Sequence, residues 1–196
     1  MDTTQTTVVS QAKKSTNVRS SQFPGGTTQA LIRFLFGVGS HVSVAATARY
    51  AQKLFLTPRL PKRTPSKDEL AVFASAEAFH IPFEGARLAA WSWRTSVPGP
   101  TILLAHGWAG HPGQFHAFVR PLLDAGFSVL AFELPGHGTS VIRAGEETNL
   151  IRISRAVRTV VEYVGKVRLL PPVEGVIAHS LGATATLIAA LDGYLA

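Results

Sequence analysis

The sequence predicts an α/β domain built on a mostly parallel sheet. Three short, continuously apolar runs carry that expectation, together with the helical patterns between them and a glycine-rich turn directly after each run. The runs are Thr101–Ala105 (TILLA), Phe127–Phe132 (FSVLAF) and Val173–Ala178 (VEGVIA). Unbroken rather than alternating hydrophobicity argues strands covered on both faces, as parallel strands are. Between the first two, Phe115, Phe118, Val119 and Leu122 step as one helical face, and Gly126 supplies a stop. Between the second and third, Leu150, Ile153, Val157, Val160 and Val164 do the same, with Arg152, Arg155 and Glu162 turned outward. Strand and helix in alternation, with right-handed crossovers, give a doubly wound sheet.

The elements upstream follow in chain order. Residues 1–30 are rich in Thr, Ser and Gln and poor in large apolar groups, and are expected to form a disordered leader. Residues 31–56 carry Leu31, Phe34, Leu35, Val38, Val42, Ala45, Ala46 and Leu54 near helical spacing, interrupted by Arg33, Arg49 and Lys53. This is an amphipathic helix, read either as packed on the domain surface or as lying in a membrane interface. Its charge-free stretch from Phe34 to Ala48 falls short of the ~20 residues that span a bilayer. Residues 57–67 (TPRLPKRTPSK) form a basic, proline-rich linker in which no helix persists. The domain proper is then 68–196. It opens with a strand pair, Val72–His80 and Arg87–Arg94, joined through Glu84-Gly85. Trp91 and Trp93 share one face of the second strand as core aromatics.

Composition bounds the chemistry. The chain has 196 residues, 46% hydrophobic and 16% charged, which is globular, and no Cys, which excludes a disulfide framework, thiolate zinc sites and a cysteine nucleophile. The net charge of +7 is uneven. Residues 1–67 hold ten Lys/Arg against one acid, and residues 68–196 hold nine against eleven. The basic excess is therefore a property of the N-terminal third, and the near-neutral domain is not built for nucleic acid. Such a stretch reads either as a solvated leader or as a partner for an anionic membrane surface, met through residues 31–63. The expected location is cytoplasmic, with membrane association through that segment.

Function collects at the carboxyl ends of the strands in such sheets, so the three turns matter most. They read His106-Gly107-Trp108-Ala109-Gly110, Glu133-Leu134-Pro135-Gly136-His137-Gly138-Thr139-Ser140, and His179-Ser180-Leu181-Gly182-Ala183. In the last, Ala178-His179-Ser180-Leu181-Gly182 lies one residue from G-x-S-x-G, with Ala178 at the first glycine. It is followed by a helix whose inward face is expected to be Leu181, Ala185, Ile188 and Leu191. That pattern makes the sharp strand-to-helix turn that presents a serine to solvent.

On these motifs, residues about 70–196 resemble the N-terminal portion of an α/β-hydrolase-fold serine hydrolase, closest to the lysophospholipase and serine-aminopeptidase-like group. The resemblance implies that Ser180 is a nucleophile forming an acyl-enzyme on an ester, thioester or amide, with a small-molecule acyl substrate. It implies that the backbone N–H groups of Leu181 and Trp108 form the oxyanion hole, and that no cofactor or metal takes part. By the same resemblance His106 and His137 belong to structural loop motifs and His179 is the variable residue beside the serine. Glu133 stands where the family usually has Asp. The family's order is Ser, then acid, then His. After Ser180 this chain has sixteen residues, with one acid, Asp192, and no histidine. Asp192 falls at the far end of the elbow helix and is not expected to be the triad acid. The fold is thus expected to be truncated after the nucleophile-elbow helix, with the triad acid and base absent and the chain alone inactive. A non-catalytic hydrolase-like binding module is the alternative.

Overall fold

A computed structural model of the chain describes residues 26–57, 64–97, 99–140, 142, 147–167 and 170–193. It divides into two compact units, Met1–Arg49 and Tyr50–Ala196. Of the first unit residues 26–49 are described. They are helical: α1 spans Gly26–Val42, and α2, Val44–Leu56, starts within this unit and ends in the second. Helix α1 begins inside the stretch read as leader, whose residues 1–25 lie outside the described residues. The one helix expected over 31–56 is two, broken at Ser43, whose Oγ accepts from the Ala46 amide as an N-cap does. Linker residues 58–63 likewise lie outside the described residues.

The second unit holds a five-stranded sheet in the order β1-β2-β4-β3-β5. Its strands are β1 (Glu77–Phe83), β2 (Ala86–Trp93), β3 (Thr101–Ala105), β4 (Ser128–Phe132) and β5 (Val173–Ala178). β1 and β2 form a hairpin through Glu84 (φ 46°) and Gly85 (φ 73°), the two positive φ values that a tight hairpin turn needs. β2 runs antiparallel to β4, and β3 runs parallel to both β4 and β5.

Two helices cover each face. On one side α5 (Leu150–Lys166) and α6 (Leu181–Leu191) pack on Leu88, Leu103, Leu130 and Phe132. On the other, α3 (Lys67–Ala74) and α4 (His116–Asp124) pack near Trp93, Leu104, Val129 and Ala131. Helix α3 is a correction to the strand expected from Val72. The Ser66 Oγ caps it by accepting from the Glu69 amide, and Asp68 and Glu69 occupy its first turn, so the strand starts at Glu77. Phe73 of α3 then meets Trp91 and Trp93 edge-on, which makes both tryptophans core aromatics as expected.

One further expectation is qualified and one corrected. β4 is buried at every residue, whereas no residue of β5 is. Among the described residues β5 lies at one edge of the sheet and β1 at the other, and an uncovered β5 is what a fold stopping after the elbow helix is expected to leave. And α6 turns Gly182, Ala185 and Ala189 inward while Leu191 is 86% exposed. Ala185 faces inward as expected and Leu181 packs on the core, but the close approach of helix and sheet puts Gly182 and Ala189 beside them, and Leu191 lies outside the inward face.

Candidate active site

The turn after β5 is strained where a nucleophile elbow would need it. Ser180 has φ 52° and ψ −121°, a region that non-glycine residues enter at a cost of about 1–3 kcal/mol. It precedes the first turn of α6 with its side chain exposed and making no capping bond. The squeeze behind it explains Gly182: a Cβ there would stand 2.3 Å from the His106 carbonyl oxygen and 2.6 Å from that of Ala105. Ala178, at the first glycine position of the motif, is the last residue of β5 and is partly buried against the core.

The turn after β3 reaches the same place. A Cβ on Gly107 would lie 3.1 Å from the Ser180 Cβ, so the His106–Gly110 loop abuts the serine. The Gly107 carbonyl accepts from the Gly110 amide at 3.0 Å and from His106 Nδ1 at 2.8 Å. In a trans peptide the N–H points opposite to the C=O, so these two bonds orient the Trp108 amide as well. Among the described residues neither the Trp108 nor the Leu181 amide has a protein acceptor.

Two buried imidazoles knit the loops together. His106 Nε2 accepts from the Leu134 amide at 3.0 Å, so the proton sits on Nδ1 and the ring is neutral. Burial holds its pKa down to about 3. His137 repeats the pattern: Nε2 accepts from the Ala109 amide at 3.0 Å, Nδ1 donates to the Pro135 carbonyl at 3.1 Å, and burial lowers its pKa. Ala109 has φ 52°, a second strained residue in the loop. With both nitrogens engaged, neither ring is free to move a proton. Glu133 organises the remaining loop. Its carboxylate accepts from the amides of Thr139 (2.6 Å) and Ser140 (3.1 Å) and from the Thr139 hydroxyl (2.9 Å). The extra methylene relative to aspartate is absorbed by Gly138, whose Cβ position is filled by that carboxylate.

Ser180 and Leu181 head α6, and the loop that carries Gly107 and Trp108 meets Ser180 at Gly107. His179 is exposed beside the serine and lines an open cavity of about 430 Å³ with Gln114, Phe115, Phe118, Ile177 and Ala178. Asp192 caps the C-terminal end of α6, a helix length away from Ser180. One neighbour of the site had no signal in the sequence. Phe55 of α2 stacks flat on Trp108, ring centroids 5.7 Å apart and planes 10° apart. Among the described residues no group of His, Asp or Glu could hold a metal ion, and no helix is long and apolar enough to cross a membrane.

Comparison with known proteins bears on the fold and the family. Residues 102–196 match the model of the alpha/beta hydrolase family. A probable serine hydrolase of Drosophila melanogaster is 35% identical over 96 residues, 49% of this chain and 28% of that protein. A pimeloyl-[acyl-carrier protein] methyl ester esterase of Methylococcus capsulatus is 46% identical over 50 residues, 26% of this chain and 19% of its own length. Among solved structures, a bacterial membrane phospholipase A superposes with a TM-score of 0.54 at 22% identity, over 81% of this chain and 47% of that one, which speaks to the fold alone. The chain matches less than a third of the length of either of these two sequence relatives.

Proposed function

Starting from an α/β-hydrolase fold, which this chain has, and from relatives that are hydrolases, we propose that it is the nucleophile-bearing part of a serine hydrolase. The observation that carries the reading is the backbone of Ser180, held at φ 52° and exposed at the head of α6. Strain of that kind persists where surrounding structure enforces it and function uses it.

In the proposed reaction Ser180 Oγ bonds to the carbonyl carbon of an ester, thioester or amide in a small acyl substrate. The proton of Oγ passes to a base and then to the departing alcohol, thiol or amine as its bond to carbon breaks. Water then releases the acid from the acyl-enzyme by the same route. The negative oxygen of each tetrahedral intermediate is received by the N–H groups of Trp108 and Leu181. One such donor contributes about 2.7–4 kcal/mol of transition-state stabilisation. Because His106 and His137 are locked neutral in the loops, the base and its acid partner are proposed to come from outside residues 1–196. Residues 1–196 alone are then inactive. That same locking favours a second reading, a non-catalytic binding module, and one experiment divides the two. The complete protein should be labelled by a fluorophosphonate, and Ser180→Ala should abolish labelling. A folded, full-length protein that resists the reagent argues for the binding module.

The partner beyond the substrate is proposed to be an anionic membrane surface met through residues 31–63. Leu31, Phe34, Leu35, Val42 and Val44 are exposed, and residues 26–57 contain Arg33, Arg49 and Lys53 with no acid. Buried apolar area and attraction to anionic lipid add in such a segment.

A further inference from the structure

The Trp108 indole is held between two rings. His137 meets it edge-on, 5.3 Å away at 84°, and is itself fixed by its bonds to Ala109 and Pro135. Phe55 covers a face from the side of α2, and Phe55 is 70% exposed. One grip is therefore buried and rigid, and the other belongs to a ring that water largely surrounds. Trp108 follows Gly107, which abuts Ser180, so whatever uncovers the indole changes the wall of the site.

The last turns of α2 are suited to such an event. Tyr50 is 59% exposed, Phe55 is 70% exposed, and the charges of this helix are Arg49 and Lys53, with no carboxylate. An apolar, basic helical segment complements an anionic bilayer interface, which takes up aromatic rings at headgroup depth. For Phe55 that interface offers far more apolar burial than a single exposed stack does.

We propose that Phe55 couples lipid docking to the active site: an anionic bilayer draws Phe55 in with the end of α2, the Phe55–Trp108 stack opens, and the freed indole face becomes a wall for the acyl chain beside Ser180. The consequence for catalysis rests on the serine reading. The coupling is read without turnover, so it fails independently of that reading.

The test follows Trp108 fluorescence in the 196-residue chain, taken as the difference between the chain and its Trp108→Phe variant, with acrylamide as quencher. Phe55 shields one of the indole's two faces, so Phe55→Ala should raise the quenching constant of Trp108 about twofold. Phe55→Tyr, which keeps the ring, should leave it unchanged and serves as the control if the alanine variant folds poorly. Vesicles of phosphatidylcholine with phosphatidylglycerol should shift Trp108 quenching and emission in the native chain and leave the Phe55→Ala protein unmoved. Three results would overturn the proposal: equal quenching in native chain and Phe55→Ala, vesicle binding with no response at Trp108, or an equal response to vesicles of phosphatidylcholine alone.

Discussion

Strands β4 and β5 are near-equivalent stretches of sequence in unlike settings. Each is a short apolar run followed by a loop that feeds the candidate site. β4 is paired on both sides and wholly buried. β5 is paired with β3 alone, and its residues are half-exposed or exposed. The difference teaches that an apolar run states what a strand requires, and that only its place in the sheet order decides what it receives. It also divides the site. The loops after β3 and β4 are tied down by buried polar groups, while Ser180 hangs from a strand paired on one side only among the described residues.

Acid should separate the two regions most strongly. His106 is held near pKa 3 and His137 is lowered, against an ordinary value of 6.5. Below pH 6.5 the unfolded chain binds protons that the folded rings refuse, so stability falls as pH falls. For His106 the loss continues to about pH 3 and then levels off. Each ring contributes a slope of about 1.4 kcal/mol per pH unit within its window. Urea unfolding from pH 7 to 4 should show that slope, and His106→Gln should reduce it. A flat profile would mean that the loops after β3 and β4 are no better anchored than the elbow.

Core truncation sharpens the contrast at intermediate size. Leu130→Ala at the fully buried centre of β4 should cost about 2–5 kcal/mol. Ile177→Ala in β5 should cost less, about 1–2 kcal/mol, since Ile177 is only partly buried. Equal losses in the unfolding midpoint would erase the distinction between the strands.

The smallest effect should be at the serine itself. Ser180→Gly removes a side chain from a positive-φ position and should stabilise the chain by about 1 kcal/mol. The same change in the complete protein should eliminate fluorophosphonate labelling. Destabilisation by glycine would mean that the turn is not strained.

Much of this organisation was legible in the residues. The three apolar runs gave their strands to within a residue, because short runs closed by His/Gly turns have few alternatives. The turn at Ser180 is legible because Gly182 follows it where the backbones of helix and strand approach closely. What escaped depends on tertiary context. The pattern at Val72 alternates like a strand, yet Ser66 and the acids behind it start a helix, and that local capping won. The partial exposure of β5 follows from sheet order, which the run's hydrophobicity does not encode, although a fold stopping after the elbow helix implies it. On α6 close approach selects small residues for the inward face, so Gly182 and Ala189 join Ala185 there while Leu191 does not. The partners of His106, His137 and Trp108 lie far along the chain, at Leu134, Ala109 and Phe55, and no spacing rule reaches them.

The bare flank of β5 has a practical corollary. Along it runs a line of amide donors and carbonyl acceptors with no neighbouring strand among the described residues, a docking rail for any extended segment of matching polarity. Expressed by itself, the 196-residue polypeptide should therefore be prone to stick to copies of itself. The same rail makes the chain a natural half for split-protein reconstitution, in which a separately supplied strand zips onto β5 and shields the serine's support.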